Sequence, residues 1–250
     1  MYQVFTKIYA ISKMIHNLIL DLLFPVRCIS CGKDDFWICP DCFSKIRSLT
    51  DHVCAVCEKA FTPDGRTCLA CKKKNPLDGL ISATSYRQSF IASAVHYYKY
   101  RFVQDLHIPL GNLLVECLKK TDLPLPNLVI PIPLHPRRLR WRGFNQSALL
   151  ADHVAKNLLP SATLDFSPNI LRRCRYTLPQ MQIKKYSFRQ ENIRGAFEVI
   201  DKNQIKGKIV LLVDDIATTG STIFECAKVL KIAGAREVFA IVVARQETKS

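Results

Sequence analysis

The 250-residue sequence lacks an uncharged apolar run of about 18 residues, the minimum for a helix that crosses a membrane. Its most apolar stretch precedes Phe24, and Lys7, Lys13, His16 and Asp21 interrupt it. A small-residue cleavage site after a clean apolar core is missing as well. We therefore expect neither a transmembrane segment nor a signal peptide.

Acidic residues are scarce beside basic ones: the chain has 21 Asp and Glu against 36 Lys and Arg, a formal net charge of +15. The excess is concentrated in residues 131–194, where twelve basic residues accompany three acidic ones. A globular enzyme with a small-molecule substrate does not need such an excess. It indicates a polyanionic partner, a strongly anionic substrate or both, with an ordinary solvated basic surface as the alternative.

Apolar residues near the N-terminus recur at spacings of three and four, at Ile8, Ile11, Ile15, Leu18 and Leu22. This period predicts an amphipathic helix within residues 1–27. We expect the helix to pack on the rest of the protein, with binding to a membrane surface as the alternative.

Eleven cysteines in a chain without a secretion signal argue against a disulfide scaffold. Eight of them form four Cys-x-x-Cys pairs. Each pair suits a tight turn that directs two thiolates at one metal ion, and two pairs complete a tetrahedral zinc site. The predicted zinc ligands are Cys28, Cys31, Cys39, Cys42, Cys54, Cys57, Cys68 and Cys71.

Two structural zinc ions are expected, because four sulfur ligands leave no open coordination position. Sequential and interleaved pairing of the four turns both fit the spacing. A redox role is the main alternative, but it is typical of one such pair beside a βαβ unit. Residues 28–76 are predicted to form a small module whose folding depends on the metal, and Asn75-Pro76 marks its end.

Residues 77–250 alternate strand-like apolar runs with helix-like segments, which predicts an α/β domain with a mostly parallel sheet flanked by helices. Its clearest helix spans residues 145–159. Residues 171–195 depart from this alternation, since they show no steady period and no apolar core, and we expect a long mobile segment there.

The most informative stretch runs from Val210 to Thr222, with the sequence VLLVDDIATTGST. Its apolar half suits a strand buried on both faces of a parallel sheet, and two carboxylates follow at the edge where such sheets bind ligands. The small and hydroxylated residues after them, and the N-terminus of the next helix, suit an anion. A sugar phosphate fits both halves, whereas a Walker loop is excluded because Gly-Lys-Ser/Thr is missing. The candidate ligand-binding residues are Asp214, Asp215, Ala217, Thr218, Thr219, Gly220, Ser221 and Thr222.

This stretch resembles the phosphoribosyl-diphosphate (PRPP) binding motif of type I phosphoribosyltransferases. The resemblance implies that the acids hydrogen-bond the ribose hydroxyls, that the loop holds the 5′-phosphate and that Mg²⁺ accompanies PRPP. It also implies substitution at the anomeric carbon, with pyrophosphate as the leaving group. Thr218 stands where hypoxanthine-type enzymes carry an acid, which argues against purine salvage of that kind and leaves the acceptor unnamed.

An arginine-rich turn follows the apolar run of residues 128–133. The planar fork of arginine suits phosphate oxygens, and the equivalent loop of type I phosphoribosyltransferases binds pyrophosphate. The resemblance thus implies catalytic roles for Arg137 and Arg138. A second basic segment, residues 171–194, resembles the hood loop of amidophosphoribosyltransferases and adds Lys184 as a catalytic candidate; closure of such a loop excludes water.

Aromatic and cationic side chains are interleaved in both basic segments, as is typical of single-strand binding by a cationic groove with stacking platforms. Structural roles in the core or in loops are the alternative for each aromatic residue. The nucleic-acid candidates are Arg140, Trp141, Arg142, Arg172, Arg173, Arg175 and Lys185.

The order of four cysteine pairs, then VIPIPLHPRRLRWRGFNQ, then LLVDDIATTGST, is similar to that of the ComF family of bacterial competence and DNA-utilisation proteins. The similarity extends from Leu22 to the C-terminus. It implies an N-terminal double zinc ribbon joined to a phosphoribosyltransferase domain over residues 77–250. It also implies a cytoplasmic role in natural transformation, acting on incoming single-stranded DNA, with DNA-uptake or recombination proteins as further partners. A phosphoribosyltransferase, a non-catalytic PRPP-sensing module that binds single strands, and a zinc-dependent recruiting protein all remain open.

Overall fold

The structure is a computed structural model that describes residues 25–49, 52–62, 64–88, 90–177 and 191–246. The chain divides into two compact units, Met1–Lys45 and Ile46–Ser250. The predicted N-terminal helix lies outside the described residues, as do Lys184 and Lys185. The division into a zinc module over 28–76 and a catalytic-type domain over 77–250 stays a prediction.

The second unit contains the strands β1 (Gly79–Ser85), β2 (Leu128–Pro131), β3 (Asp165–Phe166), β4 (Leu171–Arg173), β5 (Phe197–Val199), β6 (Ile209–Ala217) and β7 (Glu237–Arg245). Five of them form a central sheet with strand order β1-β7-β6-β2-β3 and only parallel pairings. A separate antiparallel pair joins β4 and β5. The prediction of a mostly parallel sheet is confirmed.

Helices follow the strands as the alternation in the sequence predicts. Two short ones, α1 (Pro40–Phe43) and α2 (Leu69–Lys72), begin directly after cysteines. The longer helices are α3 (Ile91–Tyr100), α4 (His107–Leu118), α5 (Pro136–Arg142), α6 (Gln146–Asn157) and α7 (Ser221–Ile232). A 3-10 turn over Gln104–Leu106 leads into α4.

The apolar core forms where the helices cover the sheet. Val210 and Leu212 of β6 belong to one buried cluster with Ile223, Ala227 and Leu230 of α7, because alternate strand residues point to the same face. The antiparallel pair of β4 and β5 contributes Leu171 and Phe197 to this cluster. Helix α7 contacts β5 and β7. Helix α6 contacts α4, β2 and β6.

Two segments from the cysteine-rich region cover the free edge of β1. Ser48 bridges Thr84, and Arg66 bridges Gly79, both in antiparallel fashion. Gly65 accepts a hydrogen bond from Leu80 N at 2.8 Å, and a side chain there would bring its Cβ within 2.6 Å of the Leu80 carbonyl oxygen. Since unpaired strand edges promote aggregation, these segments protect the sheet and belong to its compact unit.

The expectation of a mobile segment without a core over residues 171–195 is wrong for its described part. Leu171 is buried in β4, which pairs with β5. Ile193 is also buried and contributes to the main apolar cluster. A strand of three residues is too short to reveal a period, so the sequence pattern misses it. Residues 178–190 lie outside the described residues.

In the described ranges, we find no helix with both the length and the apolar character needed to span a bilayer.

Candidate functional site

The eight cysteines of the Cys-x-x-Cys pairs gather into two separate clusters. In each cluster the four sulfur atoms lie within 4.8 Å of one another, as the ligands of one tetrahedral metal ion do. Successive pairs share a cluster, so the sequential arrangement is correct and the interleaved alternative is wrong. The first cluster holds Cys28, Cys31, Cys39 and Cys42, and the second holds Cys54, Cys57, Cys68 and Cys71.

Both clusters are built from a turn and the start of a short helix. In each turn the carbonyl of the first cysteine, Cys28 or Cys54, accepts a hydrogen bond of 2.8 Å from the N–H four residues later. The next pair begins at the residue that caps α1 or α2, Cys39 or Cys68. The turn and the helix start each direct two sulfurs to one point, which explains why two pairs are needed for each site.

Backbone N–H groups near one sulfur atom of each cluster favour its thiolate, the form that binds zinc. In the second cluster, hydrogen bonds from the N–H groups of Ala60 and Lys59 lower the pKa of Cys57 to about 6. In the first cluster burial raises the pKa of Cys28, but hydrogen bonds from Cys39 and neighbouring N–H groups outweigh burial and bring that pKa to about 6. All eight cysteines are free of disulfides. The donor set therefore fits structural zinc in both clusters.

The acid pair lies near the carboxyl end of β6, at the edge of the sheet where β2 also ends. Ile132 N donates to Val213 O at 3.0 Å, which aligns the two strand ends. Helices α5 and α6 follow β2 and begin at this edge. Asn145 caps α6 by accepting a hydrogen bond from Ser147 N at 3.1 Å, and its side-chain amide donates to Ile132 O at 3.1 Å. The cap thereby places the first turn of α6 beside the acids.

Each carboxylate of the pair is held through its Oδ1 atom. Asp214 Oδ1 accepts hydrogen bonds from Ser147 Oγ at 2.7 Å and from Asp215 N at 2.9 Å. Asp215 Oδ1 accepts from Ile216 N at 2.7 Å and forms an ion pair with Lys99 Nζ at 2.8 Å. Over the described ranges, neither Oδ2 atom has a hydrogen-bond or ion-pair partner. Each acid thus has one carboxylate oxygen held by the protein and one without a partner in the described part of the chain.

The two acids differ in their electrostatic surroundings. The pKa of Asp214 is raised to about 7, mainly by burial and also by repulsion from the adjacent Asp215 carboxylate, which together outweigh the opposing effects of Lys99 and Ser147. Burial lowers the pKa of Lys99, but the carboxylates of Asp215 and Asp214 outweigh burial and raise it overall. At neutral pH the site therefore holds a cationic Lys99 beside an acid that is close to its titration midpoint.

The loop after the acids leads directly into α7. Ala217 ends β6, and Gly220 caps the helix in the left-handed region at φ 72°. No side chain caps the N-terminus of α7, where a Cβ at Gly220 would meet the Phe224 ring at 3.0 Å. The hydroxyls of Thr219 and Ser221 lie 2.8 Å apart. An uncapped helix N-terminus is suited to bind a phosphate.

The remaining members of the predicted loop lie where the motif places them: Thr218 and Thr219 precede the cap, and Ser221 and Thr222 form the first turn of α7. Thr219 and Ser221 are buried, so their hydroxyls serve the interior of the loop. The sequence motif thus corresponds to one continuous structural element, from strand end to helix start.

Arg137 and Arg138 lie in the first turn of α5, beyond the end of β2. Their guanidinium carbons lie 5.1 and 5.8 Å from the centre of the Tyr176 ring. Arg138 Nη2 also donates to the carbonyl of Thr177 at 3.0 Å. The first turn of α5 therefore contacts the segment after β4, which lies within the predicted hood loop.

The nucleic-acid candidates fall into two groups with different exposure. On α5, Arg140 is exposed and Trp141 is 61% exposed, with its ring edge-on to Phe102 at a centroid distance of 5.5 Å. Arg142 is half-buried and donates to Gln146 Oε1 at 2.8 Å. Burial lowers the pKa of Arg142, an effect that nearby Asp215 opposes, so this side chain faces the acid pair.

The second group lies around β4 and is largely engaged within the protein. Arg172 forms an ion pair with Glu198 at 2.5 Å, and Arg175 donates to the carbonyl of Asn192 at 3.0 Å. Arg173 is only 6% exposed and donates to Thr177 Oγ1, and burial lowers its pKa to about 10. The buried position of Arg173 corrects the expectation of a surface contact, because its alternate position in β4 turns it into the core.

Sequence reasoning missed Lys99 and Ser147, the two side chains that hold the acids. Lys99 is in α3 and Ser147 is in α6, so neither is near the acid motif in the chain. The available signal for Lys99 was a single lysine among three tyrosines in a helix with apolar residues. For Ser147 the signal was the sequence Asn-Gln-Ser, in which Asn145 suits an N-cap and so places Ser147 in the first turn of the helix.

Comparisons with known proteins agree with both halves of this description. The double zinc ribbon domain matches residues 19–72, and the phosphoribosyl transferase domain matches residues 145–250. Competence protein F of Haemophilus influenzae is 29% identical over 226 residues, which cover 86% of this chain and 95% of that protein. The DNA utilization protein YhgH of Salmonella typhi is 30% identical over 209 residues, which cover 80% of this chain and 87% of the relative.

Among solved structures, the glutamine PRPP amidotransferase from B. subtilis, complexed with ADP and GMP, gives a TM-score of 0.40 at 19% identity. The match covers 59% of this chain and 30% of that chain, so this protein spans about a third of the enzyme's length.

A parallel sheet with a phosphoribosyltransferase-type acid motif, joined to two four-cysteine clusters, defines a phosphoribosyltransferase-fold protein with a double zinc ribbon. The chain belongs to the ComF family, which includes competence protein F and the DNA utilization protein YhgH. The resemblance seen in its motifs is thereby confirmed.

Proposed function

We propose that this competence and DNA-utilisation protein binds PRPP at the carboxyl edge of its sheet and handles single-stranded DNA in the cytoplasm. The main support for this proposal is the way in which the protein holds the two acids. Donors from three elements hold the two Oδ1 atoms of Asp214 and Asp215, while the two Oδ2 atoms have no partner over the described ranges. An oxygen without a protein partner on each acid is suited to accept a hydrogen bond from a ribose hydroxyl.

The phosphate end of PRPP finds its counterpart in the loop between β6 and α7. The uncapped N-terminus of α7 supplies N–H groups and a positive dipole end. Because Ala217 ends the same strand that carries Asp214 and Asp215, one rigid element sets the spacing between the diol site and the phosphate site. Residues 217–222 are therefore the proposed 5′-phosphate loop.

Pyrophosphate binding is proposed for Arg137 and Arg138, with Lys184 from the hood segment. Both arginines begin α5 at the same sheet edge as the acids, and Tyr176 lies against their guanidinium groups. Such planar groups recognise phosphate oxygens well. Mg²⁺, bound together with PRPP, would offset the charge of the pyrophosphate. Asp214 and Asp215 orient the ribose in this proposal, and no general base is assigned to them.

Contact with single-stranded DNA is proposed for the exposed side of α5 and for the arginines around β4. Trp141 offers an exposed stacking surface supported by Phe102, and Arg140 is exposed beside it. Arg172 and Arg175 add positive charge, and Lys185 lies in the hood segment. Arg173 is left out of this surface because it is buried. Aromatic platforms within a cationic surface are typical of sequence-tolerant single-strand binding.

Isothermal titration calorimetry with PRPP and Mg²⁺ tests the binding proposal. We expect the zinc-loaded wild-type protein to bind and the double variant D214N/D215N to lose about 100-fold or more in affinity, because both hydroxyl acceptors are weakened. D152N is the matched control, since Asp152 is an acid on α6 that pairs with Lys156 at 2.7 Å, in an exposed pair. Equal affinity of wild type and double variant contradicts the proposal.

A pyrophosphate-release assay with PRPP, Mg²⁺ and a panel of bases and amines separates a transferase from a sensor. Release that depends on an added acceptor supports turnover. Tight binding without any release favours a non-catalytic PRPP-sensing module that binds DNA, which uses the same pocket.

A further inference from the structure

The Lys99 side chain enters the acid site from α3, which is distant in sequence from β6. Its Nζ atom lies 2.8 Å from Asp215 Oδ1, and the two side chains are 22% and 6% exposed. The same oxygen accepts the Ile216 N–H at 2.7 Å. We propose that Lys99 is a positioning residue of the PRPP site, which holds Oδ1 of Asp215 through the ion pair and leaves the Oδ2 atom as the acceptor for a ribose hydroxyl. This inference rests on the proposed PRPP binding.

The division of roles between the two acids supports this assignment. Asp214 is held by neutral donors, the Ser147 hydroxyl and a backbone N–H, whereas Asp215 alone has a cationic partner. An isolated carboxylate in a buried position is costly, and an adjacent carboxylate adds repulsion. Lys99 offsets both effects at Asp215, because its ammonium group lies 2.8 Å from Oδ1 of that acid.

Without Lys99, the acid pair would still interact electrostatically with groups on several neighbouring elements. Tyr98 of α3 and Arg142 of α5 interact electrostatically with Asp215, whereas Arg173 of β4 and Cys226 of α7 interact with Asp214. Arg142 and Arg173 are cations, but neither forms an ion pair with Asp215 within the described ranges. Loss of Lys99 therefore removes the ion pair of Asp215 and with it one of the two contacts that fix its Oδ1 atom.

The experiment measures PRPP affinity by calorimetry at one fixed pH for the full-length, zinc-loaded protein and its variants. For K99M we expect a loss of about tenfold or more, because the Asp215 carboxylate loses its cationic partner and with it a fixed orientation. K99Q should behave like K99M, since it keeps polarity but not charge, and K99R should stay within about threefold of wild type.

Lys156→Met serves as the control, because Lys156 is an exposed lysine on α6 that pairs with Asp152. If K99M does not fold, K99Q and K99R carry the comparison, and thermal melting of each variant reports its folding. Unchanged affinity of K99M or K99Q contradicts the role of Lys99. A loss in K99R as large as the loss in K99M contradicts it too, since arginine keeps the positive charge that the proposed role requires. Absence of PRPP binding by the wild-type protein contradicts the proposed function itself.

Discussion

Ser147 Oγ, in the first turn of α6, donates a hydrogen bond of 2.7 Å to Oδ1 of Asp214, which lies 67 residues further along the chain in β6. The bond joins a helix start to a strand end across the carboxyl edge of the sheet. Ser147 is itself buried, and Asn145 holds its backbone N–H at 3.1 Å. The orientation of the acid therefore depends on a helix cap that is remote from the acid motif.

Replacing Ser147 with alanine should weaken PRPP binding by about fivefold to tenfold, because Asp214 loses one neutral hydrogen bond worth about 1 kcal/mol and with it a fixed orientation. Calorimetric titration with PRPP and Mg²⁺ checks this value. Ser161→Ala, at an exposed position after α6, is the matched control. Wild-type affinity in S147A contradicts the proposed role of the Ser147–Asp214 bond.

Asp214→Asn should stabilise the ligand-free protein more at pH 8 than at pH 6. The folded-state pKa of Asp214 is raised to about 7, mainly by burial, so between its unfolded value and pH 7 the folded state binds the extra proton. Stability from this group therefore falls as pH rises through that interval, and asparagine removes the fall. The difference between the two pH values should be on the order of 1 kcal/mol.

Thermal melts of wild type and D214N at pH 6 and pH 8 provide the measurement. Both pH values are compared within one buffer system at equal ionic strength. Identical stabilisation at the two pH values would show that Asp214 does not change its protonation between them.

The two zinc clusters should differ in what their loss does to the sheet. The second cluster lies in the same compact unit as the sheet, and Arg245 of β7 donates to Ala55 O at 2.9 Å, between Cys54 and Cys57. Arg245 is also the register partner of Ala217, where the proposed phosphate loop begins. Cys57→Ser should therefore lower the melting temperature of the sheet unit by several degrees, equivalent to about 2 kcal/mol, and weaken PRPP binding.

Cys31→Ser, in the first cluster, is the matched control. Metal analysis should give about two zinc ions per chain for wild type and about one for each variant. We expect C31S to keep the PRPP affinity of wild type. Equal effects of the two substitutions on PRPP affinity would contradict a specific link between the second cluster and the loop.

Trp141→Ala should weaken binding of a single-stranded oligonucleotide by about tenfold, since stacking on one aromatic platform contributes on the order of 1–3 kcal/mol. Ile232→Ala, at a 69% exposed position at the end of α7, is the control. Fluorescence anisotropy across a salt series supplies the affinities. Wild-type affinity should fall steeply with salt because the interface is cationic, and a flat salt dependence excludes this surface as the DNA site.

The cysteine clusters and the loop between β6 and α7 were predictable because their information is local in sequence. Four Cys-x-x-Cys spacings define the turns, and one stretch of chain defines the acid pair and its loop. The pairing of the turns was not predictable, because the spacing permits two arrangements and only the fold brings Cys28 near Cys39 rather than near Cys54. Lys99 and Ser147 were missed for the same reason, since tertiary contacts bring them to Asp215 and Asp214.

A crystal structure of the zinc-loaded protein with PRPP and Mg²⁺ tests the central claim most directly. The account predicts the two ribose hydroxyls within hydrogen-bond distance of the Oδ2 atoms of Asp214 and Asp215, with the 5′-phosphate at residues 217–222. PRPP bound elsewhere, or an acid pair without ligand at saturating PRPP, would contradict it.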